Sequence, residues 1–368
     1  MNKLLALFLI VGCSSLKKSV DSVEAPKKEQ KHFTVAWAKN LDPNYSSGNL
    51  PIGVGSPLVY EDLVFMGSLD GVMRSYKLDS GRLLWEADEK QAINAQPALF
   101  EDLVIYGSIE GRVFARNYIT GELEYSIDLG SPVESAPVVS GGRMFFHLRD
   151  HRLVALDAAT GKVFWSYKRS VPFTTTLQRV SRPLPYKNRL IVGFADGYLV
   201  SLSMEEGVVV WEQRLGGGLK FVDVDVDPIY FDGKIVAGSA SDFLKFVNPD
   251  NGVVLRTVAL KVAHAPIKMN GNLVVGTVFG KVAIVDSTGK VIMKQSLVDE
   301  GISSIVKWKD GLAVATMSQK VFFLEPVSLK VKDEFNLGSD QSAVFGQLET
   351  SSGFLSLFSS RNRLYILR

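Results

Sequence analysis

The chain has 368 residues, of which 46% are hydrophobic and 22% are charged, a composition typical of a globular protein and not of a largely disordered one. Its 41 Lys and Arg against 39 Asp and Glu leave a net charge of only +2, so we expect no nucleic-acid partner. The single Cys excludes an internal disulfide and any zinc site that needs two thiolates.

The N-terminus combines a short apolar run with that cysteine. Residues 4–11 are all apolar and follow Lys3, and the run ends in Ile10-Val11-Gly12-Cys13. A stretch this short cannot span a bilayer, which takes about 20 residues, but it suffices for the core of a signal peptide. The ending resembles a bacterial lipobox, which implies that residues 1–12 are a signal peptide and that Cys13 is acylated. A short ordinary signal peptide with a chance Cys is the alternative.

The residues after Cys13 are polar. Ser14 stands at the position where an Asp would imply retention in the inner membrane, so the resemblance to lipoproteins implies sorting to the outer membrane. Residues 14–31 are rich in lysine and contain almost nothing to bury, which indicates a lipidated flexible tether over 13–31. We therefore expect a lipid-anchored protein of the outer membrane that faces the periplasm.

A unit of about 40 residues recurs along most of the remaining chain. Its first three copies place a proline, a turn glycine and an aromatic residue at spacings of 40: Pro57, Pro97 and Pro137; Gly81, Gly121 and Gly161; Trp85, Tyr125 and Trp165. Later copies drift but keep most of these signals. Repeats of this period are typical of propellers and solenoids.

Each unit contains three runs of alternating or β-branched residues separated by tight-turn pairs, such as Asp70-Gly71 and Ser80-Gly81 in the first copy. Glycine favours such turns because it adopts positive φ at little cost. A fourth, inner strand is expected near each proline. Four short antiparallel strands per unit predict the blade of a β-propeller, in which the recurrent aromatic rings pack between neighbouring blades.

The number of copies predicts an all-β, eight-bladed propeller over residues 32–368, a single domain. The eighth copy stops at Arg368, before its outer strand. Residues 33–38, with Trp37 at the position of the recurrent aromatic, supply a strand that no repeat precedes. We therefore predict that this N-terminal strand completes the last blade and closes the ring, which removes exposed sheet edges.

The segment Leu156-Asp157-Ala158-Ala159-Thr160-Gly161-Lys162-Val163-Phe164-Trp165 resembles the PQQ-like repeat of quinoprotein dehydrogenases. The resemblance covers residues 32–368. One branch of that family consists of enzymes that hold a quinone and a calcium ion. The other consists of lipoproteins of the outer-membrane β-barrel assembly machinery, which bind the BamA-type barrel subunit.

The resemblance implies the second branch. Enzymes of the first branch typically place an adjacent Cys-Cys disulfide against the quinone, whereas the one Cys here lies in the lipobox. We therefore expect no cofactor, no metal and no catalytic residue, and a scaffold that assists the insertion of unfolded outer-membrane proteins. A quinone-dependent dehydrogenase and a propeller lipoprotein with another envelope partner are the alternatives.

Two stretches resemble the contacts of that branch with its barrel subunit. In residues 174–181, Leu177 matches the second Leu of a Leu-x-Leu-Arg loop, Gln178 stands at the Arg position, and Arg179 follows it. Asp223 and Asp225 match paired acidic contact positions. The resemblance therefore implies that the partner-binding residues are Leu177, Gln178, Arg179, Asp223 and Asp225.

The spacing of the repeats points to the same two stretches. The connection from the aromatic residue to the next proline spans 12 positions in the first two copies, 18 before Pro183 and 17 before Pro228. Long connections on a rigid scaffold often carry binding sites. In an extended segment, Asp223, Asp225 and Asp227 point to one side and form a row that pairs with basic groups. A solvated edge is the alternative.

Two groups of residues resemble metal sites but have simpler interpretations. An EF-hand loop from Asp223 would need Gly and Glu where Pro228 and Lys234 stand. His147 and His151 are four residues apart, but His151 occupies a turn position of its repeat. We therefore predict a hairpin tip there, with a metal pair as the alternative.

Overall fold

The computed structural model describes residues 32–42, 52–171, 180–218, 222–338 and 342–368. Its regular elements within these ranges are β-strands, arranged as eight four-stranded antiparallel sheets. No helix in these ranges has the length and apolar character to cross a membrane. The eight-bladed propeller predicted from the repeats is thus confirmed.

The strands follow the chain from blade to blade. Blades 1 to 4 contain β2 (Leu58–Tyr60), β3 (Leu63–Gly67), β4 (Val72–Lys77) and β5 (Leu83–Asp88); β6 (Ala98–Phe100), β7 (Leu103–Gly107), β8 (Arg112–Asn117) and β9 (Leu123–Asp128); β10 (Val138–Ser140), β11 (Arg143–His147), β12 (Arg152–Asp157) and β13 (Val163–Lys168); β14 (Leu184–Tyr186), β15 (Arg189–Gly193), β16 (Tyr198–Ser203) and β17 (Val209–Arg214).

Blades 5 to 8 follow in the same way. They contain β18 (Ile229–Phe231), β19 (Lys234–Ala237), β20 (Phe243–Val247) and β21 (Val254–Lys261); β22 (Ile267–Met269), β23 (Asn272–Gly276), β24 (Lys281–Val285) and β25 (Val291–Ser296); β26 (Ile302–Trp308), β27 (Gly311–Thr316), β28 (Lys320–Leu324) and β29 (Val331–Asn336); β30 (Glu349–Ser351), β31 (Phe354–Ser359), β32 (Arg363–Leu367) and β1 (Val35–Asn40).

The N-terminal strand lies in the last blade. β1 pairs antiparallel with β32, with Trp37 opposite Ile366 and Asn40 opposite Arg363. The indole N–H of Trp37 donates to the carbonyl of Leu78 in blade 1 at 2.8 Å. The segment therefore supplies the outer strand of blade 8 and contacts the next blade.

The core lies between the blades. Among the described residues, eight apolar clusters each combine side chains of two neighbouring blades. In blade 1, β3 is buried along its whole length, whereas β5 at the rim alternates between buried and exposed side chains. This pattern is expected where flat sheets stack face to face around an axis.

The recurrent aromatic residue joins each blade to the next. Trp85 lies against Gly121, which has a φ of +78°, and a Cβ at Gly121 would come within 2.7 Å of the indole. Its indole N–H donates to the carbonyl of Tyr118 at 3.0 Å. The same pairing joins Trp37 to Gly81, Tyr125 to Gly161, Trp165 to Gly207 and Trp211 to Gly252. The prediction that these rings pack between blades is confirmed.

Strand direction defines two faces of the ring. The hairpins between second and third strands lie on the face where each outer strand connects to the next inner strand, as the hydrogen bond from the N–H of Glu89 to the carbonyl of Gly71 shows (2.8 Å). We call this the connection face. His32 precedes β1 on the opposite face, where its carbonyl accepts a hydrogen bond from Lys309 Nζ at 2.7 Å.

Candidate partner-binding site

The acidic segment connects blade 4 to blade 5 on the connection face. Val222, Val224 and Val226 are buried, at 7%, 1% and 1% exposure. The N–H of Val224 donates to the carbonyl of Phe194 at 3.0 Å, so the segment packs onto the blade 4 hairpin. Asp223 is only 1% exposed.

The three carboxylates predicted to form one row therefore differ in burial. The described part of the connection, 222–228, contains no strand, so the strict alternation of a strand does not apply. The carbonyl of Val224 lies so close to Gly193 that a Cβ there would come within 2.1 Å of it. Asp223 is buried next to this contact, whereas Asp225 and Asp227 are half-buried.

Backbone hydrogen bonds hold these two carboxylates. Asp225 Oδ1 accepts from the N–H of Ala240 at 3.3 Å, and Asp227 Oδ1 accepts from the N–H of Arg182 at 2.6 Å. Burial raises the pKa of Asp227, and the Arg182 N–H and guanidinium act against that rise. The blade 5 hairpin thus positions Asp225, and the connection between blades 3 and 4 positions Asp227.

Both carboxylates line a cavity of about 470 Å³ at the mouth of the central channel. Six of its lining residues occupy the same repeat position, three residues before the inner-strand proline: Val54, Asn94, Glu134, Val180, Asp225 and Ala263. Arg149 Nη1 lies 2.8 Å from Glu134 Oε1. The described lining of this cavity holds three carboxylates against one guanidinium, an acidic character that suits a basic group.

A second cavity of about 190 Å³ adjoins the first and shares Asp227 and Glu134 with it. Gln96, in its lining, donates from Nε2 to Glu349 Oε1 at 2.6 Å and to the carbonyl of Pro57 at 2.9 Å. Burial raises the pKa of Glu349, and the hydrogen bond from Gln96 opposes the rise. The channel wall is thus polar and internally hydrogen-bonded.

Four of the residues assigned from sequence, Cys13, Leu177, Gln178 and Arg179, lie outside the described residues. Their roles stay predictions. Val180, a described residue of the stretch 174–181, lines the same cavity as Asp225. Each of the two predicted contact stretches therefore contributes a described residue to one cavity.

The histidine pair lies beside Asp223. His147 and His151 are buried at 0% and 3% exposure, with ring centroids 6.1 Å apart. His147 Nδ1 lies 2.8 Å from the carbonyl of Ser181, and burial lowers its pKa to about 4. Burial also lowers the pKa of His151, while the charges of Asp196, Asp150 and Asp223 act in the opposite direction.

The hairpin predicted around His151 is confirmed, because the turn from 148 to 151 joins β11 to β12. No group of three or more His, Cys, Asp or Glu suited to a metal occurs among the described residues. The burial of the pair was missed from sequence. A signal was present, since the two positions hold glycines in four other blades: Gly67 and Gly71, Gly107 and Gly111, Gly193 and Gly197, Gly276 and Gly280.

Comparison with known proteins places this chain in a family. A family model described as outer membrane protein assembly factor BamB matches residues 69–252, half of the chain. The chain belongs to the BamB family. BamB of Kangiella koreensis is 36% identical over 256 residues, which cover 66% of this chain and 65% of that protein. BamB of Shewanella oneidensis is 27% identical over 119 residues, which cover 30% and 29%.

Solved structures share the fold. The crystal structure of BamB from Moraxella catarrhalis superposes with a TM-score of 0.78 at 18% identity, and covers 91% of this chain and 99% of that one. A quinohemoprotein alcohol dehydrogenase of Pseudomonas putida reaches 0.72 at 13% identity, with coverage of 92% and 76%. At these identities the likeness shows the fold alone, so function depends on the site.

Among the described residues that line the larger cavity of this BamB family member, no Phe, Tyr or Trp is present to stack on the planar ring of a quinone. Phe345 lines the adjoining smaller cavity. Carboxylates and the Arg149–Glu134 ion pair occupy the mouth instead. We derive no redox step from this site.

Proposed function

We propose that this BamB family member is a non-enzymatic scaffold of the outer-membrane β-barrel assembly machinery. It docks on the BamA-type barrel subunit through its connection face and assists the insertion of outer-membrane proteins. Its relatives are named for the assembly of outer membrane proteins, which supports this role. The observation that carries the proposal is the pair Asp225 and Asp227, held at the channel mouth in a cavity that Val180 also lines.

The chemistry of the mouth suits protein binding. Half-buried carboxylates form stronger ion pairs than exposed ones, because less water screens them. A rigid ring positions them with little loss of conformational entropy on binding. Asp223 is buried, so its part in the site is to shape the connection that presents Asp225. Leu177, Gln178 and Arg179 complete the proposed contact.

The N-terminal segment supplies the anchor in this proposal. Residues 1–12 are the signal peptide, Cys13 carries the acyl chains, and residues 13–31 tether the propeller to the periplasmic side of the outer membrane. Mass spectrometry of the membrane-extracted protein tests this directly, because acylation adds a defined mass at Cys13. A Cys13→Ser variant recovered from the soluble fraction would support it, and unchanged membrane association would contradict it.

Charge reversal at the mouth tests the docking site. We expect Asp225→Lys to abolish co-purification with the barrel subunit, because it replaces an attraction by a repulsion in a half-buried setting. The matched control is Glu206→Lys, an exposed carboxylate in the turn between β16 and β17 on the opposite face. Circular dichroism and thermal melts establish that both variants fold.

Retained co-purification of a folded Asp225→Lys variant would contradict the site. Loss in the Glu206→Lys control as well would show a general charge effect and contradict it too. Mass spectrometry of proteins captured from solubilised envelopes distinguishes the barrel subunit from another envelope partner.

A further inference from the structure

A second surface lies at the rim of the connection face, between blades 5 and 6. A cleft of about 160 Å³ opens there between two neighbouring hairpins. Phe243 and Phe279 stand on its two sides and are 40% and 60% exposed, an unusual degree for phenylalanine. Ala259 and Leu260 of β21 form its apolar floor.

Three lysines surround these apolar walls. Lys261 ends β21, Lys281 begins β24, and Lys294 lies in β25. None of the three forms an ion pair with another described residue. By contrast, Lys245 in the same blade lies 2.9 Å from Asp242. The cleft is therefore positive as well as apolar.

The cleft is continuous with the acidic channel mouth. The hairpin that carries Phe243 begins beside Asp225, whose carboxylate accepts the N–H of Ala240 at 3.3 Å. The next residue but one, Asp242, accepts the N–H of Gly217 at 3.0 Å and so ties the hairpin to the same blade connection. This hairpin thus connects the acidic channel mouth to the lysine-lined cleft, and two hydrogen bonds hold it in place.

We propose that this cleft binds an acidic segment of the docked protein partner, with one apolar side chain placed between Phe243 and Phe279. The proposal rests on the proposed function and extends it. The complementary partner surface presents basic groups to the channel mouth and acidic ones to the rim. Such a pattern fixes orientation as well as affinity, because a rotated partner would bring like charges together.

An anionic membrane is the competing occupant, and one observation disfavours it. His32, the first described residue, lies on the opposite face, so the end that is proposed to carry the lipid does not start at this rim.

Charge reversal of two lysines tests the proposal. We expect the double variant Lys281→Glu and Lys294→Glu to weaken binding of the mature chain to the purified barrel subunit by about 10-fold or more, with a smaller salt dependence. The control, Lys162→Glu with Lys290→Glu, makes the same charge change at exposed positions on the opposite face and should bind as the wild type does. Phe279→Ser should weaken binding by about 5-fold, because it removes the apolar contact without changing charge.

The outcomes separate this inference from the proposed function. If Asp225→Lys abolishes binding and the lysine variant binds as the wild type does, the inference is overturned and the docking site stands. If neither variant changes binding, the docking site itself fails. Flotation with phosphatidylglycerol vesicles is the second measurement: loss of vesicle binding by the lysine variant with unchanged partner binding would overturn the inference in favour of a membrane.

Discussion

Blades 1 and 3 have the same backbone plan but use one pair of positions differently. In blade 1 the second strand ends at Gly67, and Gly71 directly precedes the third strand. Ile93 of the next connection packs so closely against Gly67 that a Cβ there would come within 2.3 Å of it. In blade 3 those positions are His147 and His151, both buried. The following connection is six residues longer by the spacing of the repeats.

The difference shows that regular repeat positions serve the packing of the blades, whereas polar side chains stand where the repeat is broken. Blades that keep the usual residues of the repeat have small residues at the ends of their second-to-third-strand hairpins. These residues must be small because the following connection packs directly onto the hairpin. In blade 3, where two histidines replace the glycines, the imidazoles are enclosed in the protein. They lie near Asp223, on the side of the channel mouth that Val180 and Asp225 line. The proposed binding site lies beside this departure from the repeat.

The largest effect is expected from breaking the regular contacts. Trp85→Ala should lower the free energy of unfolding by about 3–5 kcal/mol, because it removes a buried ring between blades and leaves the carbonyl of Tyr118 without its donor. Urea unfolding followed by circular dichroism measures this. Phe164→Ala, at a ring that is 44% exposed on the rim, is the control and should cost far less. A loss below about 1 kcal/mol for Trp85→Ala would show that the aromatic contact is not what joins the blades.

The next effect tests ring closure by the N-terminal strand, which stays a prediction. Trp37→Ala should cost about 2–4 kcal/mol, slightly less than Trp85→Ala, because Trp37 is only partly buried. It should also speed amide exchange in both β1 and β32 if the strand closes the ring. Faster exchange confined to β1, with no loss of stability, would mean that the strand is an appendage to the last blade.

The smallest effect comes from pH. The pKa of His147 and of His264 is lowered to about 4 in the fold by burial, below the ordinary 6.5. Between these values the unfolded chain binds more protons, so stability is full above pH 6.5 and is lost as pH falls toward 4. Each histidine should lower the free energy of unfolding by about 2 kcal/mol when the pH falls from 7 to 5. Burial raises the pKa of Asp227 and Glu349, which opposes this loss.

Unfolding free energies measured at several pH values between 7 and 5 test that prediction. His147→Gly, which restores the glycine of the other blades, should flatten the pH dependence even if it lowers stability at pH 7. His264→Asn should flatten it by a similar amount. A slope that neither substitution changes would show that these buried imidazoles do not control the pH response.

Most of the fold could be predicted from the residues alone. Prolines, turn glycines and aromatics at a spacing of 40 determine strand order, and Trp37 reveals the outer strand of blade 8 because it stands at the aromatic position without a repeat before it. These signals are local, since a tight turn or an alternating strand depends on few neighbours in sequence. That Val180 and Asp225 line one cavity could also be anticipated, because they precede consecutive inner strands and consecutive blades are neighbours.

Only the tertiary structure decided which polar side chains are reachable. Alternation predicted that Asp223 and Asp225 lie on one side of the segment, but in the fold the first is buried and the second lines the cavity at the channel mouth. The rim cleft has no sequence motif, because Phe243 and Lys294 come from different blades. Local signals determine the eight blades, whereas burial and charge at a site depend on contacts between blades that no single repeat contains.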